Sequence, residues 1–263
     1  HAERPYAGWR GALQRWGLRS TDAFLFAAHA LADPWIEEGY ISSKERVFQI
    51  MEGSTGFQWQ PRASARAATG LYGEPVFLWV GHLIPRKDPL TVLAAFEQLL
   101  LQVPRARLYI IYGTDDLLPQ VQARLTQSTV LREAVTLLGQ LPHAALESYY
   151  NSADYFVLGS HYEGSGYALV EALACGVVPI VTDIPSFRMM TDEGRLGALW
   201  TVGDSNSLLH TAVETLKEAL APKSAAARHF FEERLSFPAL GRQAMEIYRA
   251  TQQKQKHGGT SSE

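Results

Sequence analysis

The sequence predicts an α/β fold: a doubly wound parallel sheet with Rossmann-like topology, with further helices at the C-terminal end. Two observations lead to this prediction. Six short segments are almost continuously apolar, as strands covered on both faces of a parallel sheet must be. The segments between them carry apolar residues at helical spacing, and repeated strand–helix alternation is typical of doubly wound domains. The predicted strands cover residues 76–80, 108–112, 135–138, 155–158, 178–181 and 199–202.

The helices of this domain follow from apolar periodicity and start signals. Asp88 is expected to cap the first helix, because its side chain can accept hydrogen bonds from the free N–H groups of the first turn. Pro89 suits that turn, since its missing N–H would have no partner there. The apolar stripe of this helix is Leu90, Leu93, Phe96 and Leu100. Further helices are predicted at residues 118–125, 144–151, 167–175 and 206–220.

The two flanks lack this alternation. The first 70 residues hold too few predicted elements to close a domain, and His1 in place of methionine indicates that the natural start lies upstream. Their predicted elements are a helix at 10–19, a strand at 23–28, a helix at 33–38 and a strand at 47–51. In the other flank, after the central domain, two helices are predicted at 225–234 and 240–251. The expected organisation is a remnant of a preceding domain with a linker (1–70), a Rossmann-like domain (71–222), C-terminal helices (223–251) and a frayed polar tail (252–263).

The composition excludes several classes of protein. Hydrophobic residues make up 46% of the 263 residues and charged residues 19%, a balance that excludes a disordered or collagen-like chain. The formal net charge of -3 offers no basic face for a nucleic acid. No apolar run approaches the ~20 residues that cross a bilayer, so no transmembrane segment is predicted. The single cysteine, Cys175, cannot form an internal disulfide and is expected to be a small buried apolar group.

Ligands of an open parallel sheet bind at the carboxyl ends of its strands, so the loops there are the candidate sites. The first of these loops begins with Gly81 and ends with Arg86 and Lys87. Glycine permits a close backbone approach, and the two cations precede a helix whose free N–H groups also favour anions. The pattern indicates a phosphate site; the alternative is a solvated surface loop.

The loop after the strand at 155–158 carries two acids, Glu163 and Glu171, eight positions apart. Gly164, Ser165 and Gly166 lie between them and can expose backbone N–H groups at the start of the next helix. Such a loop can hold a diphosphate while the carboxylates accept hydrogen bonds from sugar hydroxyls. It favours a nucleotide sugar over the alternative, in which both glutamates are solvated surface charges.

Together these stretches resemble the C-terminal, donor-binding half of a GT-B fold glycosyltransferase of family 4, or group 1, type. The resemblance covers residues 22–250, and its six short motifs occur in the order and spacing of that family. Residues 51–53 with 59–61 resemble its interdomain segment, and residues 230–248 resemble its C-terminal helix pair. The stretches that match most clearly are Gly81-His82 with Lys87, Glu163 with Glu171, and Glu171-Ala172-Leu173-Ala174-Cys175-Gly176-Val177-Val178-Pro179.

The resemblance implies a role for each matching residue. Lys87 would contact the diphosphate of the donor, Glu171 would bind the ribose hydroxyls, and Glu163 would face the transferred sugar. Glu163 and Lys87 are therefore the catalytic candidates. Backbone amides for the diphosphate would come from Ser165, Gly166 and Tyr167, and the base pocket would be lined by Gly139 and Leu141. The donor-binding set is completed by Gly81, His82, Arg86, Gly113 and Gly164.

Two positions depart from the family pattern. His82 stands where the family has arginine, which leaves one positive charge fewer at the diphosphate unless Arg86 takes its place. Asp88 stands where the family tends to have glycine. It brings a negative charge near the phosphate site in addition to its expected role as a helix cap.

The resemblance implies a retaining transfer of a hexosyl group from a UDP-, GDP- or ADP-linked sugar to an acceptor hydroxyl. Negative charge grows on the leaving diphosphate, where Lys87 and the helix N-terminus would stabilise it. No metal ion or other cofactor is expected, because the sequence has no cluster with metal-ligand spacing. A structural or surface role is expected for the three loop histidines, His82, His143 and His161.

The acceptor, a glycan or lipid-linked molecule, is expected to bind an N-terminal domain outside this chain, so the chain alone should bind donor and transfer little. We expect the enzyme to act in the cytoplasm, and at the inner membrane face if that domain is basic.

Two alternative functions stay open. A GT-B epimerase of nucleotide sugars would have only Glu163 and His161 as acid–base groups, and a non-catalytic nucleotide-binding or assembly module is favoured by His82 and Asp88. A nicotinamide dehydrogenase is disfavoured, since no Gly-x-Gly-x-x-Gly follows the first strand.

Overall fold

The structure, a computed structural model, describes residues 5–258. The described residues form two compact units: one runs up to Ser54 and resumes at Arg234, and the other spans Thr55–Glu233. The first unit contains a two-stranded parallel sheet of β1 (Phe24–Phe26) and β2 (Val47–Gln49). These strands are shorter than the predicted ones at 23–28 and 47–51. The core beside them includes Ala32, Ile41 and Val47.

The second unit is built on a fully parallel sheet. Within residues 55–233, all of them described, the strands are β3 (Val76–Gly81), β4 (Arg107–Tyr112), β5 (Val135–Gly139), β6 (Tyr155–Leu158), β7 (Val178–Thr182) and β8 (Ala198–Trp200). Their order is β5-β4-β3-β6-β7-β8. Every residue of β6 and β7 is buried, as the apolar pattern requires. The chain winds outward from β3 to β5 and then returns to place β6 beside β3, which confirms the predicted α/β fold class.

The α-helices within the described residues 5–258 are numbered in chain order. They are α1 (Gly8–Leu18), α2 (Asp33–Glu37), α3 (Arg62–Thr69), α4 (Pro89–Gln102), α5 (Leu118–Gln127), α6 (Thr129–Ala134), α7 (His143–Ser152), α8 (Tyr167–Ala174), α9 (Pro185–Met190), α10 (Ser205–Leu216), α11 (Leu220–Phe230) and α12 (Phe237–Gly258). A π-helical turn, Phe231–Leu235, lies between α11 and α12. A 3-10 turn, Pro85–Lys87, directly precedes the capping residue of α4.

The predicted strands of the large sheet all occur, with small shifts at their ends. β6 has the expected bounds, and β3, β4, β5 and β7 are each longer by one residue at one end. The prediction for the last strand, 199–202, is wrong at its end, because β8 stops at Trp200. The N–H of Thr201 donates to Ser207 Oγ at 3.0 Å instead of pairing in the sheet.

The helix predictions need correction in the last third of the chain. The helix expected at 206–220 ends at Leu216, and the one expected at 225–234 begins already at Leu220. Pro222 lies in the first turn of α11, where proline is tolerated, so a start signal was present. The last helix, expected at 240–251, runs from Phe237 to Gly258. Residues 252–258 of the expected frayed tail are therefore helical, and residues 259–263 lie outside the described residues.

One helix that the sequence did not predict, α3, lies within residues 1–70, which were expected to hold a domain remnant and a linker. It packs against α7 and is held by Asp154, which lies 2.7 Å from Arg66 Nη2 and 3.1 Å from Arg62 Nε. Only Ala65 of α3 is buried, and the apolar residues of this helix are all alanines, so it has no stripe of large apolar side chains that would predict a helix. Two short helices, α6 and α9, were also missed. The domain boundaries at residues 70 and 222 stay predictions.

Candidate functional site

The loops after β3 and β6 lie side by side because these strands are neighbours in the sheet. An added Cβ at Gly159, directly after β6, would lie 2.9 Å from the carbonyl oxygen of Asp88, so only glycine fits this close approach. The N–H of His161 donates to the carbonyl oxygen of Arg86 at 2.9 Å. The strand order therefore brings the two candidate loops together, at the crevice where doubly wound sheets bind ligands.

Glu163 is the centre of a buried charge cluster. Its carboxylate contacts the ammonium of Lys87, lies 3.0 Å from Arg86 Nη1 and accepts a hydrogen bond of 2.7 Å from Ser160 Oγ. Lys87 and Glu163 are only 7% and 8% exposed. Burial alone would raise the pKa of Glu163, but Lys87, Ser160 and Arg86 together hold this pKa below its ordinary value. Burial lowers the pKa of Lys87, and the attraction of Glu163 opposes this.

The glycine-rich loop leads directly into α8. Gly166, the N-cap of α8, has a φ of 54°, and a Cβ there would lie 2.6 Å from Met190 Cε and 3.1 Å from Phe187 Cε1. Glycine is therefore required both for the left-handed backbone and for close packing against α9. The first N–H groups of an α-helix have no acceptor within the helix and lie at the positive end of its dipole. The start of α8 can thus bind an anion.

Glu171 lies further along α8 and is held by two side chains of α7. His143 Nε2 lies 2.7 Å from Glu171 Oε1, and the Tyr150 hydroxyl donates to Glu171 Oε2 at 2.9 Å. The ring of Phe57 stacks on His143 with centroids 4.9 Å apart, and its centroid is 6.0 Å from that of Tyr150. Glu171 is buried, so these contacts fix the orientation of its carboxylate.

The two residues that depart from the family pattern have defined partners. His82 Nδ1 accepts the N–H of Thr114 at 3.1 Å, which places the proton of a neutral ring on Nε2. Asp88 caps α4 as predicted, because its Oδ1 accepts the N–H of Thr91 at 3.2 Å. The other oxygen, Oδ2, lies 3.1 Å from His161 Nε2. The carboxylate of Asp88 is therefore engaged by α4 and by His161.

A cleft of about 510 Å³ opens where these groups meet. Eleven of the thirteen sequence-predicted site residues line it: Gly81, His82, Arg86, Lys87, Gly113, Leu141, Glu163, Ser165, Gly166, Tyr167 and Glu171. The other two are not among its lining residues. Gly139 ends β5 with a φ of 73°, and Gly164 lies in the chain between Glu163 and Ser165.

Sequence reasoning missed the side chains that support the two glutamates. Ser160 supports Glu163, while His143, Tyr150 and Phe57 surround Glu171. His143 was expected to have a structural or surface role; it is largely exposed, yet it lines the cleft. One signal was available, since residues seven apart such as His143 and Tyr150 share one face of a helix. The partner of that face depends on how α7 packs against α8, which the sequence does not reveal.

Comparison with known proteins decides the family. The family described as "Glycosyl transferases group 1" matches residues 62–228, more than half of the chain. The chain belongs to this family. The fold and the match identify residues 62–228 as part of the C-terminal domain of a GT-B group 1 glycosyltransferase, as the sequence motifs predicted.

The two curated relatives compared with this chain are named as glycosyltransferases. A D-inositol 3-phosphate glycosyltransferase from Nocardia farcinica is 28% identical over 170 residues, which is 62% of this chain and 38% of that enzyme. The enzyme of that name from Thermobispora bispora is 28% identical over 224 residues, 80% of this chain and 52% of its own length. The chain thus spans about half the length, or less, of these relatives.

Solved structures show the same fold. A sucrose-phosphate synthase from Thermosynechococcus elongatus matches with a TM-score of 0.74 at 24% identity, over 92% of this chain and 61% of that one. Among the helices within residues 5–258, none is both long enough and apolar enough to cross a membrane. The same described residues contain no group of three or more His, Cys, Asp or Glu side chains placed to hold a metal ion.

Proposed function

We propose that this chain is the donor-binding part of a retaining glycosyltransferase. The enzyme would transfer a sugar from a nucleoside-diphosphate sugar to an acceptor hydroxyl with the same anomeric configuration. One observation carries the proposal: Lys87, the start of α8 and Glu171 line a single cleft of about 510 Å³. A cation and the backbone amides at the start of a helix suit a diphosphate, and a fixed carboxylate suits a ribose, so the cleft matches two parts of a nucleotide-sugar donor.

The diphosphate would lie between the loop after β3 and the start of α8. Lys87 supplies a positive charge, and the backbone N–H groups of Ser165, Gly166 and Tyr167 supply donors at the positive end of the helix dipole. His82 contributes an Nε2–H donor in its neutral form. As the sugar–phosphate bond breaks, negative charge grows on the diphosphate, and these groups stabilise that charge more in the transition state than in the bound donor.

The nucleoside would extend from the diphosphate toward Glu171, whose carboxylate accepts hydrogen bonds from the ribose hydroxyls. The base would lie near Leu141 and Gly139, at the end of β5, with Gly113 on the neighbouring loop. A solved structure of Anabaena HepE in complex with UDP-glucose has the same fold, with a TM-score of 0.73 at 18% identity. The match covers 91% of this chain and 66% of the HepE chain. We therefore choose uridine nucleotides as the first donors to test.

Glu163 would face the transferred sugar as a carboxylate. Its contacts with Lys87, Arg86 and Ser160 favour the ionised form and restrain the side chain. An ionised carboxylate can orient sugar hydroxyls and offset the positive charge that grows on the ring. We assign Glu163 no role as a covalent nucleophile; in this proposal it acts through its charge and its hydrogen bonds.

The acceptor would be bound by a part of the enzyme beyond this chain. The chain spans about half the length of its curated relatives or less, and the proposed donor cleft uses only residues of the unit Thr55–Glu233. We therefore expect the chain alone to bind a donor and to transfer little sugar. A turnover assay on this chain and on a longer form with the preceding domain tests this, and full activity of the chain alone would contradict it.

The experiment that tests the donor site is a thermal-stabilisation screen with UDP, GDP and ADP and their sugar conjugates. A ligand that binds only the folded state stabilises it by RT ln(1 + [L]/Kd), so the melting temperature keeps rising as the ligand concentration exceeds the Kd. We expect one nucleotide family to stabilise the protein at concentrations well above its Kd. No stabilisation by any of them, confirmed by calorimetry, would contradict the proposal and favour a non-catalytic assembly module.

A further inference from the structure

Resting on the proposed function, we infer that Tyr150 and His143, braced by Phe57, are positioning residues that hold the Glu171 carboxylate for the ribose diol. They would thereby set the preference of the site for ribonucleotides over deoxyribonucleotides. No catalytic step is assigned to them.

The first support is the geometry of the two hydrogen bonds. His143 Nε2 lies 2.7 Å from Glu171 Oε1, and Tyr150 OH lies 2.9 Å from Glu171 Oε2, so each oxygen has its own anchor. A carboxylate oxygen has two lone pairs. Each oxygen therefore keeps an acceptor position, and a plane fixed at both oxygens can accept two neighbouring ribose hydroxyls at once.

The second support is the burial of one anchor and the exposure of the other. Tyr150 is fully buried, and burial together with the nearby Glu171 raises the pKa of its hydroxyl well above the ordinary value. The Tyr150 hydroxyl therefore stays protonated and can only donate to the carboxylate. The His143 side chain is 69% exposed and lines the cleft together with Glu171.

The third support is Phe57, which contacts both anchors. Its ring is stacked on His143 at 27° and tilted by 53° to the ring of Tyr150. Phe57 is 8% exposed, and its backbone N–H donates to Thr55 Oγ1 at 3.2 Å, so the backbone that carries the ring also has a partner. This packing restricts the rotamers of both anchors and hence the plane of the Glu171 carboxylate.

The consequence is a separation of two kinds of recognition. Diphosphate binding would depend on the loop after β3 and the start of α8, which do not contain the anchors. Hydroxyl recognition would depend on the orientation of Glu171. Loss of an anchor would therefore weaken the binding of a ribonucleotide and leave that of its dideoxy counterpart unchanged.

The test compares each nucleoside diphosphate, UDP, GDP or ADP, with its 2′,3′-dideoxy form by calorimetry. The wild type should prefer the ribonucleotide by at least about tenfold, as loss of hydrogen bonds to a charged group predicts. Tyr150→Phe and His143→Ala should each reduce this preference by about fivefold or more, through weaker ribonucleotide binding. The matched control is Tyr149→Phe on the same helix. A further variant, His143→Gln, keeps an N–H donor and should therefore restore part of the preference for the ribonucleotide.

The outcomes separate this inference from the proposed function. If the wild type binds none of the three nucleotides, both fail. If it binds one but does not prefer the ribose form, the role of Glu171 and the inference fail together. If the wild type prefers the ribose form and both variants keep that preference, the inference fails and the proposed function stands. His143→Ala changes an exposed side chain, so it provides the test even if Tyr150→Phe does not fold.

Discussion

The ammonium of Lys87 contacts the carboxylate of Glu163, although the two residues lie 76 positions apart in the chain. The contact exists because β3 and β6 are neighbours in the sheet and each residue lies in the loop after its strand. Both side chains are buried, so they interact in a medium that screens charges weakly. In the proposed function, Lys87 contacts the diphosphate of the donor and Glu163 faces its sugar, so the pair lies where these two parts of the donor meet.

Glu163→Gln tests this pair through its pH dependence. At pH 7 the substitution should lower the free energy of unfolding by about 3 kcal/mol, because it leaves Lys87 buried without its counter-charge. The folded pKa of Glu163 lies below the ordinary 4.5, so the stabilisation by the ionised form is complete above 4.5 and is lost as the pH falls through the folded pKa. Urea titrations at pH 7 and at about pH 3 should show the difference from wild type shrinking. A difference of equal size at both pH values would contradict the assignment.

Asp154→Asn tests the ion pairs of Asp154 with Arg62 and Arg66, which hold α3 in place within the second unit. Asp154 is 6% exposed and accepts from the N–H of Val76 at 2.7 Å besides its two arginine partners. Removing the charge should cost about 3 kcal/mol of unfolding free energy, since Arg62 and Arg66 lose a buried partner. The control, Asp183→Asn, breaks a solvent-exposed pair with Arg188 and should cost much less. Urea titrations that give equal losses of unfolding free energy for the two variants would contradict a stabilising role of the Asp154 ion pairs.

Gly166→Ala should destabilise the protein and weaken nucleotide binding. The left-handed backbone alone costs about 1–2 kcal/mol for a residue with a Cβ, and the new methyl would also collide with Met190. Gly241→Ala is the matched control: it lies in α12, where an added Cβ meets no atom within 4 Å, and should be neutral or slightly stabilising. Melting temperatures of both variants check this, and a Gly166→Ala protein as stable as wild type would refute the packing argument.

Cys175 should be inert in the native protein. It is 4% exposed, and burial raises the pKa of its thiol well above the ordinary value, so the reactive thiolate is scarce. Because it is the single cysteine of the sequence, any labelling by a disulfide reagent reports on it. We expect labelling in native buffer to be at least about a hundredfold slower than in urea. Rapid native labelling would show that the segment around it opens locally.

The sequence predicted the contacts that topology alone determines. Lys87 and Glu163 follow apolar segments that had to be buried strands, and ligand sites of doubly wound sheets lie at the carboxyl ends of such strands. Asp88 was identified as a helix cap from its position before Pro89, and its contact with Thr91 confirms this. These predictions rest on local chemistry and on a strand order that is common to the fold class.

The sequence did not predict contacts that depend on how helices pack. His143 and Phe57 lie 86 positions apart and meet because the segment before α3 lies along α7. Hydrogen bonds from Gln58 and Gln60 to Glu147 hold that segment, and nothing in its local pattern indicates the pairing. The surroundings of Glu171 could therefore be described only from the structure, although Glu171 itself was predicted from its motif.

Calorimetric titration of the wild type and of Lys87→Met with UDP, GDP and ADP tests the central proposal most directly. At least one nucleotide should bind the wild type, and Lys87→Met should weaken that binding by tenfold or more, since a charge-assisted contact to phosphate contributes about 1.5–3 kcal/mol. Lys217→Met, which changes an exposed lysine on the surface, should bind as the wild type does. Unchanged affinity in Lys87→Met, or no binding of any nucleotide to the wild type, would contradict a donor site in this cleft.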